Sequence, residues 1–287
     1  MKKGFGLVDE FITAKDKYGI WPTTVWVLDY SDKIRLKLKS LIGDSIDDSA
    51  RADCFTKKDN STSYYRGKIT VSIFNPVTAI YILNIYGPKK GGVVFDPFAG
   101  GGTRAIISSK YGLKYVGVEL RQEEILAVNQ RLKANDAENG VKIFQGDSRS
   151  VPFIKTNSAD FLMTCPPYFN TEKYNGDPTT DLSMCNNYSD FLSGIDAVIG
   201  ETKRVLKPGA LSCWVVGLTR GKDSDLPLMA LNHDISYYHR QHGFELKEEI
   251  ILLQKNNSAE RRVAMFDLGK RVLIRTHEYL LVFINRK

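Results

Sequence analysis

From about Ile69 the chain alternates short apolar runs with amphipathic stretches at helical spacing. VTAIYILNIYG reads as an apolar helix, GGVVFDP as a short buried strand entering a turn, and TRAIISSKYG as a helix ended by Gly112. KYVGVEL is a second strand. RQEEILAVNQRLKAN is a helix with Ile125, Leu126, Val128 and Leu132 on one broad apolar face. VKIFQGD and ADFLMTCPP follow as third and fourth strands. YSDFLSGIDAVIGETKRVLKPG is a long helix, with Ser189 as its N-cap and Lys207-Pro208-Gly209 as its stop. ALSCWVVGL is a fifth strand, and DLPLMALNHDISYYHRQHGF holds another helix. EEIILLQ and HEYLLVFIN form an antiparallel pair that closes the sheet. Strands alternating with helices predict an α/β fold with a doubly wound, mixed sheet. The first ~65 residues are less regular: IRLKLKSLIG reads as a basic amphipathic helix, and DSIDDSARADCFTKKDNSTS as a polar loop.

With 287 residues, 43% hydrophobic and 25% charged, the chain can bury one α/β core with an elaborated end. No run of ~18 apolar residues is present, so no membrane-spanning helix is expected. The opening MKKGFGLVDEFITAKDKYG lacks the apolar stretch of a secretion signal, and a cytoplasmic protein is expected. Cys54, Cys165, Cys185 and Cys213 are scattered without CxxC spacing, so neither a metal site nor a disulfide framework is expected. The formal net charge of +7 suits a polyanionic partner but names no chemistry.

The chemistry lies at the carboxyl ends of the predicted strands, where doubly wound sheets bind ligands. In DPFAGGGT, glycines after a strand let the backbone approach a ligand closely. Asp96 at that strand end can accept from an ammonium group, and Thr103 can cap the next helix. Glu119, roughly 20 residues on, can hold both hydroxyls of a ribose. Asp147 in QGDS can bind an adenine amino group or serve as a turn residue. TCPPY carries the most specific signal. Two prolines after an apolar strand make a rigid turn without N–H donors, leaving nearby carbonyls free to accept. Tyr168 follows and can stack on a flat group. An exocyclic base amine is a poor nucleophile, because its lone pair is delocalised into the ring. Acceptors around its N–H groups can aim that lone pair at an electrophilic methyl, so positioning and electrostatics carry the rate. The order of residues opposes a covalent thiolate mechanism at Cys165: cytosine-C5 enzymes place cysteine after proline, and here it precedes two.

DPFAGGGT, VGVEL, QGDS and TCPPYF, in this order, resemble the motifs of amino-methylating DNA methyltransferases, the N6-adenine/N4-cytosine class. The chain is similar above all to phage- and prophage-encoded DNA modification methylases, through TVWVLDY, ITVSIFNPV, DPTTDLS and THEYLLVF, from about Trp21 to the C-terminus. The resemblance implies a Rossmann-like S-adenosylmethionine-dependent methyltransferase fold over residues 66–287, with target-contacting loops. Residues 1–65 would form an N-terminal extension, packed on the core or contacting DNA. The implied cofactor is S-adenosylmethionine, bound by Asp96, Phe98, Gly100, Gly102, Thr103, Glu119, Asp147 and Ser148, with Ser72, Phe74 and Asn75 near its methionine end. The implied catalytic residues are Cys165, Pro166, Pro167 and Tyr168. Cys165 departs from the Asp, Asn or Ser usual in the class. A thiol accepts weakly, which shifts polarisation of the amine toward the Pro166 carbonyl and blurs the choice between adenine and cytosine.

The partner implied is DNA, with no metal and no membrane, and adenine N6 is favoured slightly over cytosine N4. A paired amine must be flipped out of the duplex or met on a single strand. Phe169 is a candidate to stack beside Tyr168. Arg220, Lys222, Arg261, Arg262, Lys270, Arg271 and Arg275 are candidates for phosphate contacts. A restriction-modification role belongs to the same reading. The alternatives are an RNA amino-methyltransferase, since such enzymes share both turns, and a catalytically silent DNA-binding protein of the same fold.

Overall fold

A computed structural model describes residues 23–28, 74–169, 179–220, 228–254 and 277–286. The strands are β1 (Val25–Leu28), β2 (Val93–Asp96), β3 (Lys114–Glu119), β4 (Val141–Gln145), β5 (Ala159–Thr164), β6 (Leu206–Val216), β7 (Thr219–Arg220), β8 (Leu228–Met229), β9 (Phe244–Gln254) and β10 (His277–Asn285). The helices are α1 (Pro76–Tyr86), α2 (Thr103–Lys110), α3 (Gln122–Ala134), α4 (Tyr188–Val205) and α5 (Leu231–Gln241). Eight strands form one sheet in the order β1-β9-β10-β6-β5-β2-β3-β4, while β7 and β8 pair separately. From β6 to β4 every pairing is parallel. β10 lies antiparallel between β6 and β9, so the predicted closing pair EEIILLQ and HEYLLVFIN is present. This is a Rossmann-like α/β fold with a mixed sheet.

The chain winds outward from β2 through β3 to β4, then returns to place β5 on the other side of β2. The reversal opens a crevice at the carboxyl ends of β2 and β5. Each face of the sheet carries an apolar core. α1, α2 and α3 cover one face with Val77, Ile80, Ile107 and Val128, against Phe161 and Val282. α4 and α5 cover the other with Phe191, Ile195, Val198 and Ile235, against Leu162, Trp214 and Phe283. α1 is buried along its first eight residues, as befits a helix apolar all round. β1 comes from the irregular N-terminal region. Its Trp26 stacks on Tyr86 at 6.4 Å and meets Tyr81 edge-on at 6.1 Å, fastening the sheet edge to α1.

Local predictions are corrected at four points. Leu126 is 55% exposed, while Ile125, Val128 and Leu132 are buried. Leu126 is one step of about 100° past Ile125, which turns it off the i, i+3, i+7 stripe. Asn187, not Ser189, caps α4, its side chain accepting from Asp190 N at 2.9 Å. Lys207-Pro208-Gly209 does not follow the helix as a stop, because α4 ends at Val205 and β6 runs on directly through these residues. Gly102, not Thr103, is the N-cap of α2. IRLKLKSLIG and DSIDDSARADCFTKKDNSTS lie outside the described residues.

His239 on α5 is fully buried, stacked on Phe283 with centroids 3.8 Å apart and edge-on to Trp214. Burial lowers its pKa to about 3, against the opposing effect of its bond to the Ile235 carbonyl. The neutral ring therefore carries its proton on Nδ1 and donates it to that carbonyl. The unfolded chain takes up a proton near pH 6.5 that the folded chain refuses, so stability is complete above that pH and falls as pH drops toward 3. The loss contributed is about 1.4 kcal/mol per pH unit within that window. Urea unfolding of wild type and His239→Phe at pH 7.5 and 5.5 is expected to show a smaller pH-dependent loss in the variant. Equal losses would refute a buried neutral histidine.

Candidate active site

Register pairs Val94 with Phe161 and Phe95 with Leu162, so the DPFAGGGT and TCPPY turns leave the sheet side by side. One cavity opens there. It is lined by residues 97–104, 118–121, 146–148, 165–168 and 180–182, together with Phe74 and Val198. Of the expected cofactor and catalytic residues, Phe74, Phe98, Gly100, Gly102, Thr103, Glu119, Asp147, Ser148, Cys165, Pro166, Pro167 and Tyr168 all lie on this wall.

Asp96 does not. It is wholly buried behind the wall, and its carboxylate is already filled. Oδ1 accepts from Phe98 N (3.0 Å) and Thr164 Oγ1 (2.7 Å), and Oδ2 from Arg104 Nε (2.5 Å) and Tyr115 OH (2.6 Å). Four donors occupy the roughly four lone-pair sites of a carboxylate. The expectation that Asp96 receives an ammonium group is therefore corrected: the residue ties β2, β3, β5 and α2 together beneath the site. Arg104, which no sequence motif singled out, lies 4.6 Å over the Phe74 ring and also donates to the Phe98 carbonyl. Burial works against its charge, but Asp96 more than offsets this and raises the guanidinium pKa. Gly102 has φ +81°, and a Cβ there would stand 2.6 Å from Val128 Cγ1, so α3 packs only against glycine.

Glu119, at the end of β3, fits a ribose. Its Oε2 accepts from Gly100 N at 3.1 Å and its Oε1 from Arg121 N at 3.0 Å. Each oxygen keeps a lone pair for a hydroxyl. Burial raises the carboxyl above its ordinary value, against the lowering influence of the Arg121 N–H and guanidinium. Asp147 is clasped by Arg149 through Nε (2.9 Å) and Nη2 (2.6 Å) to Oδ2. Arg149 Nη2 also donates to the Thr179 carbonyl, just before the 180–182 part of the wall. Ser148 Oγ donates to the Pro97 carbonyl, joining the DPFAGGGT and QGDS turns. Asp181, in DPTTDLS, is a further wall residue that sequence reasoning left without a role. Its Oδ1 accepts from Ser183 N and Oγ, while its buried Oδ2 makes no hydrogen bond, leaving an acceptor that a bound N–H would satisfy. Asn75 is corrected from ligand contact to helix cap: its side chain accepts from Val77 N at 2.9 Å. Glu119→Ala is expected to weaken binding of S-adenosylhomocysteine by about 1.5–3 kcal/mol, the scale of charge-assisted hydrogen bonds. Calorimetry showing wild-type affinity would count against a ribose at this position.

In the TCPPY turn, Cys165 Sγ is 3.7 Å from Tyr168 OH, and that hydroxyl donates to Glu278 Oε1 at 2.9 Å. Burial, with Cys165 and Glu278 beside it, pushes the hydroxyl well above the ordinary tyrosine range, so it stays a donor. Phe169 is corrected from base-stacking candidate to core residue: it is 8% exposed and packs in tilted contacts on Tyr188 and Phe191. Arg220 is in β7, but its side chain is not described. Ser72, Lys222, Arg261, Arg262, Lys270, Arg271 and Arg275 lie outside the described residues. Among the described residues, no cluster of three His, Cys, Asp or Glu side chains could hold a metal, and no helix is long and apolar enough to cross a membrane.

Comparison with known proteins bears on this site. Residues 159–287, which include the TCPPY turn, match a family model described as DNA methylase, N6_N4_Mtase. A curated relative from Chlamydia pneumoniae, described as an uncharacterized RNA methyltransferase, is 26% identical over 149 residues. The match covers 48% of this chain and 36% of that protein's length. Among solved structures, TrmN from Thermus thermophilus is similar with a TM-score of 0.50 at 13% identity, over 73% of this chain and 48% of that one. The [4+2]-cyclase SpnF is similar with a TM-score of 0.52 at 14% identity, over 74% and 81%. At such identities these structures share the fold alone, and the fold does not fix the reaction. The family match supports S-adenosylmethionine as the cofactor. The chain thus has a Rossmann-like methyltransferase fold, and its residues 159–287 match the model of the DNA methylase family.

Proposed function

We propose that the protein methylates an exocyclic amino group of DNA, adenine N6 in preference to cytosine N4. The observation that supports this most is the adjacency of β2 and β5, which brings the glycine turn and the Cys165–Tyr168 turn together on one cavity that Glu119 also lines. S-adenosylmethionine, when bound, supplies an electrophilic sulfonium methyl. Glu119 holds the ribose and fixes how deep the nucleoside sits. Pro166 and Pro167 offer no N–H, so the turn presents carbonyls to the amine's hydrogens. The Tyr168 ring stacks on the flipped base and orients it. No strong base is required before attack, because the amine's proton leaves afterwards. Cys165 contributes at most a weak hydrogen bond. The flanking motifs resemble phage and prophage modification methylases and support that biological role, with the protein in the cytoplasm. Phosphate contacts by the basic residues of the C-terminal region belong to the same proposal.

The relative described as an RNA methyltransferase favours a second reading, in which RNA is the acceptor. Transfer of radiolabelled methyl to unmethylated plasmid DNA and to total RNA separates the two. Label in DNA, resistant to RNase and alkali, is expected. Label confined to RNA would replace the first reading by the second.

A further inference from the structure

THEYLLVF, near the C-terminus, is a motif for which sequence reasoning offered no role. Glu278 lies in it, at the start of β10. β10 pairs with β6 so that Tyr279 faces Val216, the last residue of β6. That register brings Glu278 to the carboxyl edge of the sheet, beside Gly217 and below the TCPPY turn. There Glu278 Oε1 accepts the Tyr168 hydroxyl at 2.9 Å. Gly217 supplies the second restraint. A Cβ on it would stand 2.8 Å from Tyr168 Cε2 and 2.9 Å from Cζ, so the aromatic ring lies directly on this backbone. A side chain at position 217 would lift the ring off its seat.

We propose that Glu278 is a positioning residue for methyl transfer, which with Gly217 locks the Tyr168 ring in the orientation that receives the flipped base. Three facts carry this. Tyr168 lines the cavity and Glu278 does not, so Glu278 reaches the cavity through the tyrosine it holds. The hydroxyl is held at its far end while the ring is held against Gly217, so both rotation and lift are restrained. A stacking platform contributes to rate only when its geometry is set before the base arrives. The proposal rests on the assignment of Cys165–Tyr168 as the amine-binding turn.

The test is a cycle of Glu278→Leu, Glu278→Gln, Tyr168→Phe and the Tyr168→Phe/Glu278→Leu double variant, with folding checked by thermal melt. Methyl transfer is measured on whichever nucleic acid wild type accepts. Loss of the acceptor in Glu278→Leu is expected to lower kcat by about tenfold or more, the scale of a hydrogen bond to a charged group. Affinity for S-adenosylhomocysteine stays unchanged, because Glu278 does not line the cavity. Glu278→Gln keeps an acceptor oxygen and is expected to stay within about threefold of wild type in kcat. Tyr168→Phe keeps the ring and loses the hydroxyl, so it falls by a factor similar to Glu278→Leu, and the double variant is no worse than either. A double variant equal to the product of the single losses, or a Glu278→Leu enzyme with wild-type kcat, overturns the proposal. Hydrogen exchange of the peptide spanning Cys165–Phe169 is read in parallel on the same proteins. Faster exchange in Glu278→Leu but not in Glu278→Gln supports the lock even if the enzyme's acceptor is not DNA. Unchanged exchange in both overturns it independently of substrate.

Discussion

Asp96→Ala is expected to cost about 3–5 kcal/mol of stability, the penalty for leaving one partner of a buried ion pair uncompensated. The carboxylate receives Arg104, Tyr115, Thr164 and the Phe98 amide, and removing it strands a guanidinium that is 5% exposed. Three strands and the helix after the glycine turn lose their common tie. Cofactor affinity should fall as a consequence, through loosening of the turn. Asp96→Ala paired with Arg104→Leu should recover part of the loss, because the buried charge is removed with its partner. Urea unfolding of the three variants measures this. A stable Asp96→Ala protein that no longer binds S-adenosylhomocysteine would return Asp96 to the ligand, as its place in the motif first indicated.

The second large effect is at the catalytic turn. Tyr168→Ala is expected to lose far more activity than Cys165→Ser. Base–aromatic stacking is worth about 1–3 kcal/mol, and the flipped base loses its orientation as well. Cys165→Ser keeps a small polar side chain and supplies a better acceptor, so substantial turnover should remain. A covalent thiolate mechanism predicts near-complete loss instead. Pro166→Ala should fall between them, since its carbonyl stays while the turn loosens. Turnover of radiolabelled methyl, with melting curves to confirm folding, ranks the three. An inactive but folded Cys165→Ser beside an active Tyr168→Ala would reverse these roles.

The residues legible in the sequence are those whose work is done by local backbone. Glycines at 100 and 102 follow a strand, Glu119 ends the next, and two prolines follow β5. Each place is set within a few residues, so the order of motifs predicts one cavity and the structure assembles it. The short continuous apolar runs in EEIILLQ and HEYLLVFIN likewise read as strands, and β9 and β10 pair antiparallel. What was not legible depends on contacts distant in sequence. Tyr168 and Glu278 are 110 residues apart, and Asp96 and Thr164 are 68 apart. No spacing rule announces either pair. Asp96 shows the cost of reading an acid at a strand end by its charge alone: the same position serves a ligand or a buried network, and the four donors around it decide. Phe169 differs from expectation for a related reason: an aromatic beside the TCPPY turn reads as a platform, but Tyr188 and Phe191 pack on it. The strand Val25–Leu28 is too short to stand out in its irregular surroundings, and only its pairing with β9 reveals it.

The most direct test of amine methylation is nucleoside mass spectrometry of DNA from cells expressing the protein, in a host that lacks its own DNA methyltransferases. The account predicts N6-methyladenine, or failing that N4-methylcytosine, in the wild-type culture and neither base in a Tyr168→Ala culture. Only 5-methylcytosine, or no modified base in DNA beside a methylated RNA pool, would contradict it.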